Sequence, residues 1–241
     1  MSQTIMITGA GSGIGKATAL QFIKSGWNVG LIGRREKPLL EITQSTALAL
    51  PCDITDEAAV EGAFSKAVGT FGRIDVLFNN AGIFTPGAAI DEIPLEDWQY
   101  SVDVNLTGSF ICAKHAFRAM RAQTPQGGRI INNGSISAHS PRPHSTPYTA
   151  TKHAITGLTK SISLDGRPFN IACGQIDIGN ARTEMVEALA ERNAAAGIDP
   201  EYTMDVDDVA RTVLHMAALP LEANVQFMTI MATKMHFVGR G

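Results

Sequence analysis

The sequence has few cysteines, few charges and no long hydrophobic run, and each shortage excludes a class of protein. Its 3 cysteines among 241 residues are Cys52, Cys112 and Cys173, too widely spaced for a disulfide framework or a zinc site. Lys+Arg 20 against Asp+Glu 23 leaves no basic excess to attract nucleic acid or anionic lipid. No apolar run approaches the roughly 18 residues of a membrane span. We therefore expect a cytoplasmic protein with no nucleic-acid partner, membrane partner or metal.

Apolar residues are plentiful at 44%, enough for one sizeable core, so we predict a single domain over residues 1–241. Short runs rich in Ile, Val and Leu alternate with stretches of helical period, which predicts an α/β fold: a doubly wound parallel sheet of about seven strands with helices on both faces. The predicted strands are Thr4–Thr8, Asn28–Ile32, Thr46–Leu50, Ile74–Phe78, Arg129–Asn133, Asn170–Ala172 and Gln226–Met231. The predicted helices are Ile14–Ser25, Glu36–Gln44, Asp56–Thr70, Trp98–Arg121, Thr146–Leu164, Ala181–Ala195 and Val206–Leu219.

Residues 180–202 follow a strand end, the place where α/β sheets bind their ligands, and they are rich in alanine and charge. Two interpretations stay open for this segment: a mobile lid over a substrate, or an ordinary helix.

A glycine-rich turn joins the first predicted strand to the first helix. It reads Thr8-Gly9-Ala10-Gly11-Ser12-Gly13-Ile14-Gly15-Lys16. Glycine permits a tight turn and close approach of main-chain N–H groups to a phosphate, which a helix N-terminus also favours. A glycine cluster also fits a simple turn, but the strand before it and the helix after it favour a dinucleotide cradle. The candidate binding residues are Gly9, Ser12, Gly13, Ile14 and Gly15.

Arg34 and Arg35 follow the second predicted strand, where NAD sites usually carry an acidic residue for the ribose hydroxyls. Guanidinium groups instead suit a 2′-phosphate, because they bind phosphate in a bidentate way. We therefore predict NADP(H) over NAD(H), the alternative being that both arginines only solvate a loop.

Four motifs occur in order along the chain. They are the glycine turn, Asn79-Asn80-Ala81-Gly82, a serine at Ser135, and Tyr148-Thr149-Ala150-Thr151-Lys152. In this order and at these separations the chain resembles the short-chain dehydrogenase/reductase (SDR) family over nearly its whole length. The resemblance implies a Rossmann-type sheet and an oxidoreductase that transfers hydride between a nicotinamide cofactor and a carbonyl or alcohol.

Tyr148 and Lys152 are four residues apart, so on a helix they share one face. We expect the ammonium, together with an oxidised nicotinamide, to lower the phenol pKa and make Tyr148 a general acid and base near neutral pH. Ser135 would hold the substrate oxygen by a hydrogen bond. By resemblance, Lys152 also binds the nicotinamide ribose, and Asn105 completes the catalytic set through a proton relay.

The resemblance implies further cofactor contacts. Asp53 would lie beside the adenine ring and Ile54 against the face of that ring, with a place in the helix N-cap region before Asp56 as the other role for Asp53. Asn80, Ala81 and Gly82 would lie beside the adenosine ribose. After the sixth strand the family usually carries Pro-Gly and then a threonine, whereas this chain has Cys173-Gly174 and Ile178. We expect main-chain groups of Ile176 and Ile178 to bind the carboxamide, and the sequence leaves open whether Asn180 or Thr183 substitutes for the threonine.

The candidate substrate-pocket residues are Phe84, Ile136, His139, Met185 and Val186, with ordinary core packing as the alternative for the apolar ones. His139, Arg142 and His144 either recognise a polar or anionic substrate or simply face solvent. The predicted function is reversible hydride transfer between NADP(H) and a small carbonyl or alcohol, in a homodimer or homotetramer. The alternative is a non-catalytic nucleotide-sensing or scaffold protein that retains the fold.

Overall fold

The computed structural model describes residues 2–184, 186–187, 190 and 202–238. The strands are β1 (Thr4–Thr8), β2 (Asn28–Gly33), β3 (Ala47–Pro51), β4 (Val76–Asn79), β5 (Gly128–Asn133), β6 (Ile171–Ile178) and β7 (Phe227–Ile230). They form one sheet in the order β3-β2-β1-β4-β5-β6-β7, and every neighbouring pair is parallel. The predicted doubly wound, Rossmann-type α/β fold is confirmed.

Helices cover both faces of this sheet. They are α1 (Gly13–Lys24), α2 (Glu36–Leu40), α3 (Glu57–Phe71), α4 (Leu95–Val102), α5 (Gly108–Ala122), α6 (Thr146–Gly166) and α7 (Val206–Ala218). In β1, Ile5 and Ile7 pack into the core beneath α1 and α7, whereas Met6 between them packs into the core beneath α3 and α5. This alternation follows from the two-residue period of a strand, and it explains why strands buried on both faces read as continuous apolar runs.

Three predicted elements differ from those observed. The segment predicted as one helix over Trp98–Arg121 is α4 and α5 joined by a π-helical turn over Asp103–Thr107. The α2 helix ends at Leu40, earlier than the predicted Gln44. The sixth strand runs to Ile178 rather than ending at Ala172, because its polar residues face other buried polar groups instead of solvent.

Most of the predicted lid over residues 180–202, and most of the predicted helix over Ala181–Ala195, lie outside the described residues. Ala181 and Met204, which flank that segment, form an isolated parallel bridge. Within the described part of the chain, no helix has the length and apolar character that crossing a membrane requires.

Candidate active site

The glycine turn between β1 and α1 is held in a shape that other residues would not tolerate. Gly9 and Gly13 have positive φ values of 67° and 50°. A Cβ on Gly15 would lie 2.1 Å from the carbonyl oxygen of Gly9, so only glycine lets the helix start this close to the strand. The Thr8 hydroxyl accepts hydrogen bonds from the N–H groups of Asn80 and Ala81, which ties this turn to the end of β4.

A cavity of about 520 Å³ opens at the carboxyl ends of β1, β2, β4, β5 and β6. One end, here called the glycine end, is lined by Gly9, Ser12, Gly13, Ile14, Arg34 and Arg35. The other, here called the tyrosine end, is lined by Ser135, Tyr148, Lys152 and Phe84. Between or beside them lie the predicted residues Asp53, Ile54, Asn80, Ala81, Gly82, Ile136, Ile178 and Val186. The fold thus brings motifs from distant parts of the sequence to one surface.

At the glycine end, Arg34 and Arg35 follow β2 and are exposed at the cavity wall. The Arg34 guanidinium donates to the hydroxyl of Tyr100 on α4 over 3.2 Å. Asp53 accepts hydrogen bonds from the main chain and side chain of Thr55, which orients its carboxylate at the end of β3. This end of the cavity therefore presents main-chain N–H groups and guanidinium groups.

At the tyrosine end, α6 presents Tyr148 and Lys152 on one face, as the four-residue spacing predicts. The Lys152 ammonium lies 5.5 Å from the centre of the Tyr148 ring and donates to the carbonyl of Asn133 over 2.7 Å. The ring of Phe84 stacks on that of Tyr148 with centroids 3.9 Å apart. Lys152 is buried, and its hydrogen bond to the end of β5 fixes it beside the phenol.

Asn105 lies in the π-helical turn and does not line the cavity. Its side chain donates to the carbonyl of Ile83 and accepts from the N–H of the same residue, at 3.0 and 2.8 Å. A π turn inside a helix often occurs at a functional site. Here the turn directs the Asn105 side chain to the loop after β4, which its two hydrogen bonds hold in place. Gly82 lies in that loop close to both side chains, since a Cβ there would lie 3.3 Å from Asn105 Oδ1 and 4.0 Å from Lys152 Nζ.

Known proteins resemble this chain over nearly its full length. The sequence model described as short chain dehydrogenase matches residues 3–194. Serine 3-dehydrogenase of Agrobacterium fabrum is 32% identical, over 99% of this chain and 97% of that protein. The chain belongs to the short chain dehydrogenase family. This membership supports the predicted class, an oxidoreductase that uses a nicotinamide cofactor.

Solved structures of similar SDR proteins agree with this membership. The structure of ElxO with NADP bound has a TM-score of 0.84 at 29% identity, over 95% of this chain and 97% of that one. The 3-ketoacyl-(acyl-carrier-protein) reductase from Brucella melitensis, complexed with NADH, has a TM-score of 0.86 at 25% identity, over 95% and 96% of the two chains. Both forms of the nicotinamide cofactor therefore occur among the structural relatives of this SDR chain.

Burial changes the proton affinities of both groups at the tyrosine end. Loss of hydration raises the pKa of Tyr148 to about 12, against the opposing effects of a hydrogen bond with Ser135 and the charge of Arg142. The same loss lowers the pKa of Lys152 to about 8, with Asp177 acting in the opposite direction. In the protein without cofactor the pKa of Tyr148 is therefore raised, where the sequence predicted that it is lowered, because burial outweighs the hydrogen bond with Ser135 and the charge of Arg142. At neutral pH the phenol is protonated.

Four predicted placements need correction. Cys173 and Gly174 lie within β6 opposite Ile130 and Ile131, so they do not occupy the position of the family Pro-Gly after the strand. Ile176 is buried in the same strand, and its carbonyl accepts from the N–H of Gly134, so the structure does not bring it to the cavity.

Gly15, like Ile176, lies behind the cavity lining rather than in it. His139 also does not line the cavity: its ring contacts Asp177 at 2.8 Å. Met185 lies outside the described residues. Asn180 and Thr183, the two candidates for the missing threonine, both line the cavity, and a Cβ on Gly13 would lie 3.1 Å from the Thr183 methyl group.

Asp177 is the residue near the site that sequence reasoning missed. It is fully buried in β6, where it accepts a hydrogen bond from the N–H of Ser135 over 3.0 Å. The signal was an acidic residue between two isoleucines, since a buried carboxylate needs specific partners. Among the described residues, no group of three or more His, Cys, Asp or Glu side chains has the arrangement of a metal site.

Proposed function

We propose that this SDR protein catalyses reversible hydride transfer between NADP(H) and a small carbonyl or alcohol, with Tyr148 as general acid and base. The observation that carries the proposal is one cavity with a glycine cradle at one end and Ser135, Tyr148 and Lys152 at the other. A protein that only senses nucleotide needs no half-buried phenol beside a buried ammonium. The tyrosine end therefore favours an enzyme over a scaffold.

The glycine end fits a dinucleotide phosphate. The positive φ values at Gly9 and Gly13 and the missing side chain at Gly15 expose main-chain N–H groups at the start of α1, the geometry that binds anions. Asp53, Ile54, Asn80, Ala81 and Gly82 would hold the adenosine, and Lys152 with the main chain of Ile178 would hold the nicotinamide portion. When bound, the cofactor supplies or accepts the hydride.

The side chains at the tyrosine end supply the proton chemistry. Because burial raises the pKa of Tyr148 to about 12, its hydroxyl carries a proton at neutral pH and can donate it to a carbonyl oxygen as that oxygen gains charge. Ser135, hydrogen-bonded to the phenol, holds the same oxygen. Lys152 keeps positive charge near the phenol, which stabilises the phenolate left after Tyr148 has donated its proton. That phenolate is the base that accepts a proton from the alcohol in the reverse reaction. Asn105 fixes the loop beside the ammonium.

The preference for NADP(H) rests on the two guanidinium groups after β2, where no carboxylate stands to bind ribose hydroxyls. Phosphate binds arginine through paired, charge-assisted hydrogen bonds. The structural relatives bind either NADP or NADH, so they do not favour one cofactor for this chain. The proposed preference therefore depends on Arg34 and Arg35.

A small substrate fits the tyrosine end because the ring of Phe84 and the side chains of Ile136 and Val186 form the wall there. We also propose a homodimer or homotetramer, because α4 and α5 leave Leu95, Tyr100 and Phe110 exposed by 79%, 43% and 51%. Light scattering of the purified protein tests the assembly, and a monomer at micromolar concentration would contradict it.

The test of the function is NADPH oxidation with a panel of small ketones and aldehydes. Tyr148→Phe keeps the ring and its stacking on Phe84 but removes the transferable proton, so kcat falls about 1,000-fold while NADPH still binds. Ser25→Ala, which removes an exposed hydroxyl at the far end of α1 and away from the cavity lining, is the control and keeps full activity. Equal rates for wild type and Tyr148→Phe would rule out the proposed acid.

A further inference from the structure

A buried carboxylate lies directly beneath the serine of the proposed catalytic set. The side chain of Asp177 is 1% exposed. Its Oδ1 accepts hydrogen bonds from the N–H of Ser135 at 3.0 Å and from Nε2 of Gln175 at 2.6 Å, and its Oδ2 lies 2.8 Å from Nε2 of His139. A carboxylate only accepts, so Nε2 of His139 carries the hydrogen. Both oxygens of this buried charge therefore have partners.

The two partners from the chain after β5 stand at opposite ends of one short turn. Ser135 precedes a 3₁₀ turn over Ile136–Ala138, and His139 follows it. Asp177 thus contacts both ends of the turn that carries the serine. A Cβ on Gly134 would lie 2.0 Å from Asp177 Oδ1, so glycine at this position is what allows the carboxylate to approach.

The same carboxylate is connected to the helix that carries Tyr148. Gln175, which donates to Asp177, also donates to the hydroxyl of Thr156 and accepts from that of Thr159, both at 3.1 Å. Both threonines lie on α6. Buried polar networks in which each member is satisfied hold side chains rigidly, because breaking any bond leaves an unpaired group. The network therefore joins the serine turn, β6 and α6.

We propose that Asp177 is a positioning residue that fixes Ser135 relative to Tyr148, with His139 as the second anchor of the same turn. This inference rests on the proposed function, in which Ser135 holds the substrate oxygen. The side chain of His139 is 45% exposed, so its anchor can be removed without opening the core.

The charge of Asp177 gives the proposal a second signature. The charged or titratable groups that interact with it are His139, Lys152 and Tyr148, and Arg142 acts on the same phenol with the opposite sign. Its negative charge raises the pKa of both Lys152 and Tyr148. Asp177→Asn keeps the shape of the side chain but removes that charge, so the alkaline limb of the pH profile for carbonyl reduction moves to lower pH. A side chain that only fills space would not move this limb.

The experiment compares Asp177→Ala, Asp177→Asn, His139→Ala and His139→Gln, with His153→Ala as the control at an exposed histidine on α6. Asp177→Ala lowers kcat about 100-fold, the effect of misplacing a reacting group by about 1 Å. His139→Ala lowers kcat about tenfold, and His139→Gln, which retains a donor, recovers most of that loss. NADPH affinity, measured by fluorescence, stays within about twofold of wild type in every variant.

Hydrogen exchange provides a readout that needs no turnover. The amide of Ser135 exchanges faster in Asp177→Ala and in His139→Ala than in wild type, while His153→Ala leaves it unchanged.

If wild type reduces no carbonyl in the panel, the proposed function fails while this exchange result still decides the anchoring role. If Asp177→Ala does not fold, the two His139 variants decide it. Unchanged exchange and unchanged kcat in His139→Ala, or equal loss of kcat and NADPH affinity in all variants, would overturn the proposal.

Discussion

At the glycine end of the cavity the binding surface is mostly main chain, whereas at the tyrosine end it is made of side chains that other buried side chains hold in place. Gly9, Gly13 and Gly15 shape the first end through what they lack. The second end depends on Lys152 bonded to β5 and on Asp177 bonded beneath Ser135. Main-chain N–H groups bind any phosphate group of suitable shape. The positions of the Tyr148 phenol, the Ser135 hydroxyl and the Lys152 ammonium instead determine which reaction can take place.

This difference predicts different failures. A change at a glycine of the first end acts by steric overlap and removes cofactor binding. A change at the tyrosine end alters protonation and orientation and, apart from changes at Lys152, leaves cofactor binding intact. Variants at the two ends can therefore be told apart by their NADPH affinity, by their free energy of unfolding and by the pH dependence of that stability.

The largest effect is expected from Gly15→Ala. The new Cβ would lie 2.1 Å from the Gly9 carbonyl oxygen, and main chain on both sides cannot yield without changing the turn. We expect a loss of about 3 kcal/mol in the free energy of unfolding and a loss of about 100-fold in NADPH affinity. Urea denaturation and fluorescence titration measure the two quantities.

Gly62→Ala is the matched control, because Gly62 lies in α3 and a Cβ there meets nothing within 4 Å. Alanine in a helix interior is expected to stabilise the protein by up to about 1 kcal/mol. If the two variants behaved alike, the steric account of the glycine end would be wrong.

At the tyrosine end, Lys152→Met tests the buried ammonium through stability. Burial lowers the pKa of Lys152 from 10.5 to about 8, so below pH 8 the folded state confines a charge that the unfolded chain leaves in water. Between these two pKa values the unfolded chain binds more protons than the folded one, so the stability of the wild type rises with pH. Methionine removes this dependence.

Relative to wild type, Lys152→Met is therefore most stable near neutral pH and loses about 3 kcal/mol of that relative stability as the pH rises through the window. Denaturation of the cofactor-free proteins across this range gives the measurement. Lys160→Met, at an exposed lysine of the same helix, is the control. A stability difference between Lys152→Met and wild type that does not change with pH would contradict the lowered pKa.

The glycine end was readable from the sequence because its residues are contiguous: the turn lies between Thr8 and Lys16, and its conformation follows from glycine chemistry. The pairing of Tyr148 with Lys152 was readable for the same reason, since helical spacing is local. The role of Asp177 was not, because its partners Ser135 and His139 lie about forty residues away and meet it only across two paired strands. The end of β6 at Ile178 could not be predicted for a related reason. Polar residues of a strand that contact buried polar groups give the same sequence pattern as the polar residues of a loop.

Arg34→Ala and Arg35→Ala test the proposed cofactor preference at the glycine end. Each guanidinium removed is expected to lower NADPH affinity about tenfold, the value of a charge-assisted hydrogen bond at an exposed site, while NADH affinity stays unchanged. Lys37→Ala removes an exposed charge nearby and controls for a general loss of positive potential. An equal drop for NADPH and NADH would show that the arginines attract anions without reading the 2′-phosphate.

The smallest effect is expected from Tyr100→Phe, which removes the hydroxyl that accepts from Arg34 over 3.2 Å. A single exposed hydrogen bond contributes little, so NADPH affinity falls only about threefold, through freer motion of the guanidinium. In an Arg34→Ala background the same change has nothing left to orient and leaves NADPH affinity as it was, which a double-mutant cycle measures. An equal effect in both backgrounds would mean that Tyr100 acts on the cofactor site without Arg34, and that its hydroxyl does not orient the guanidinium.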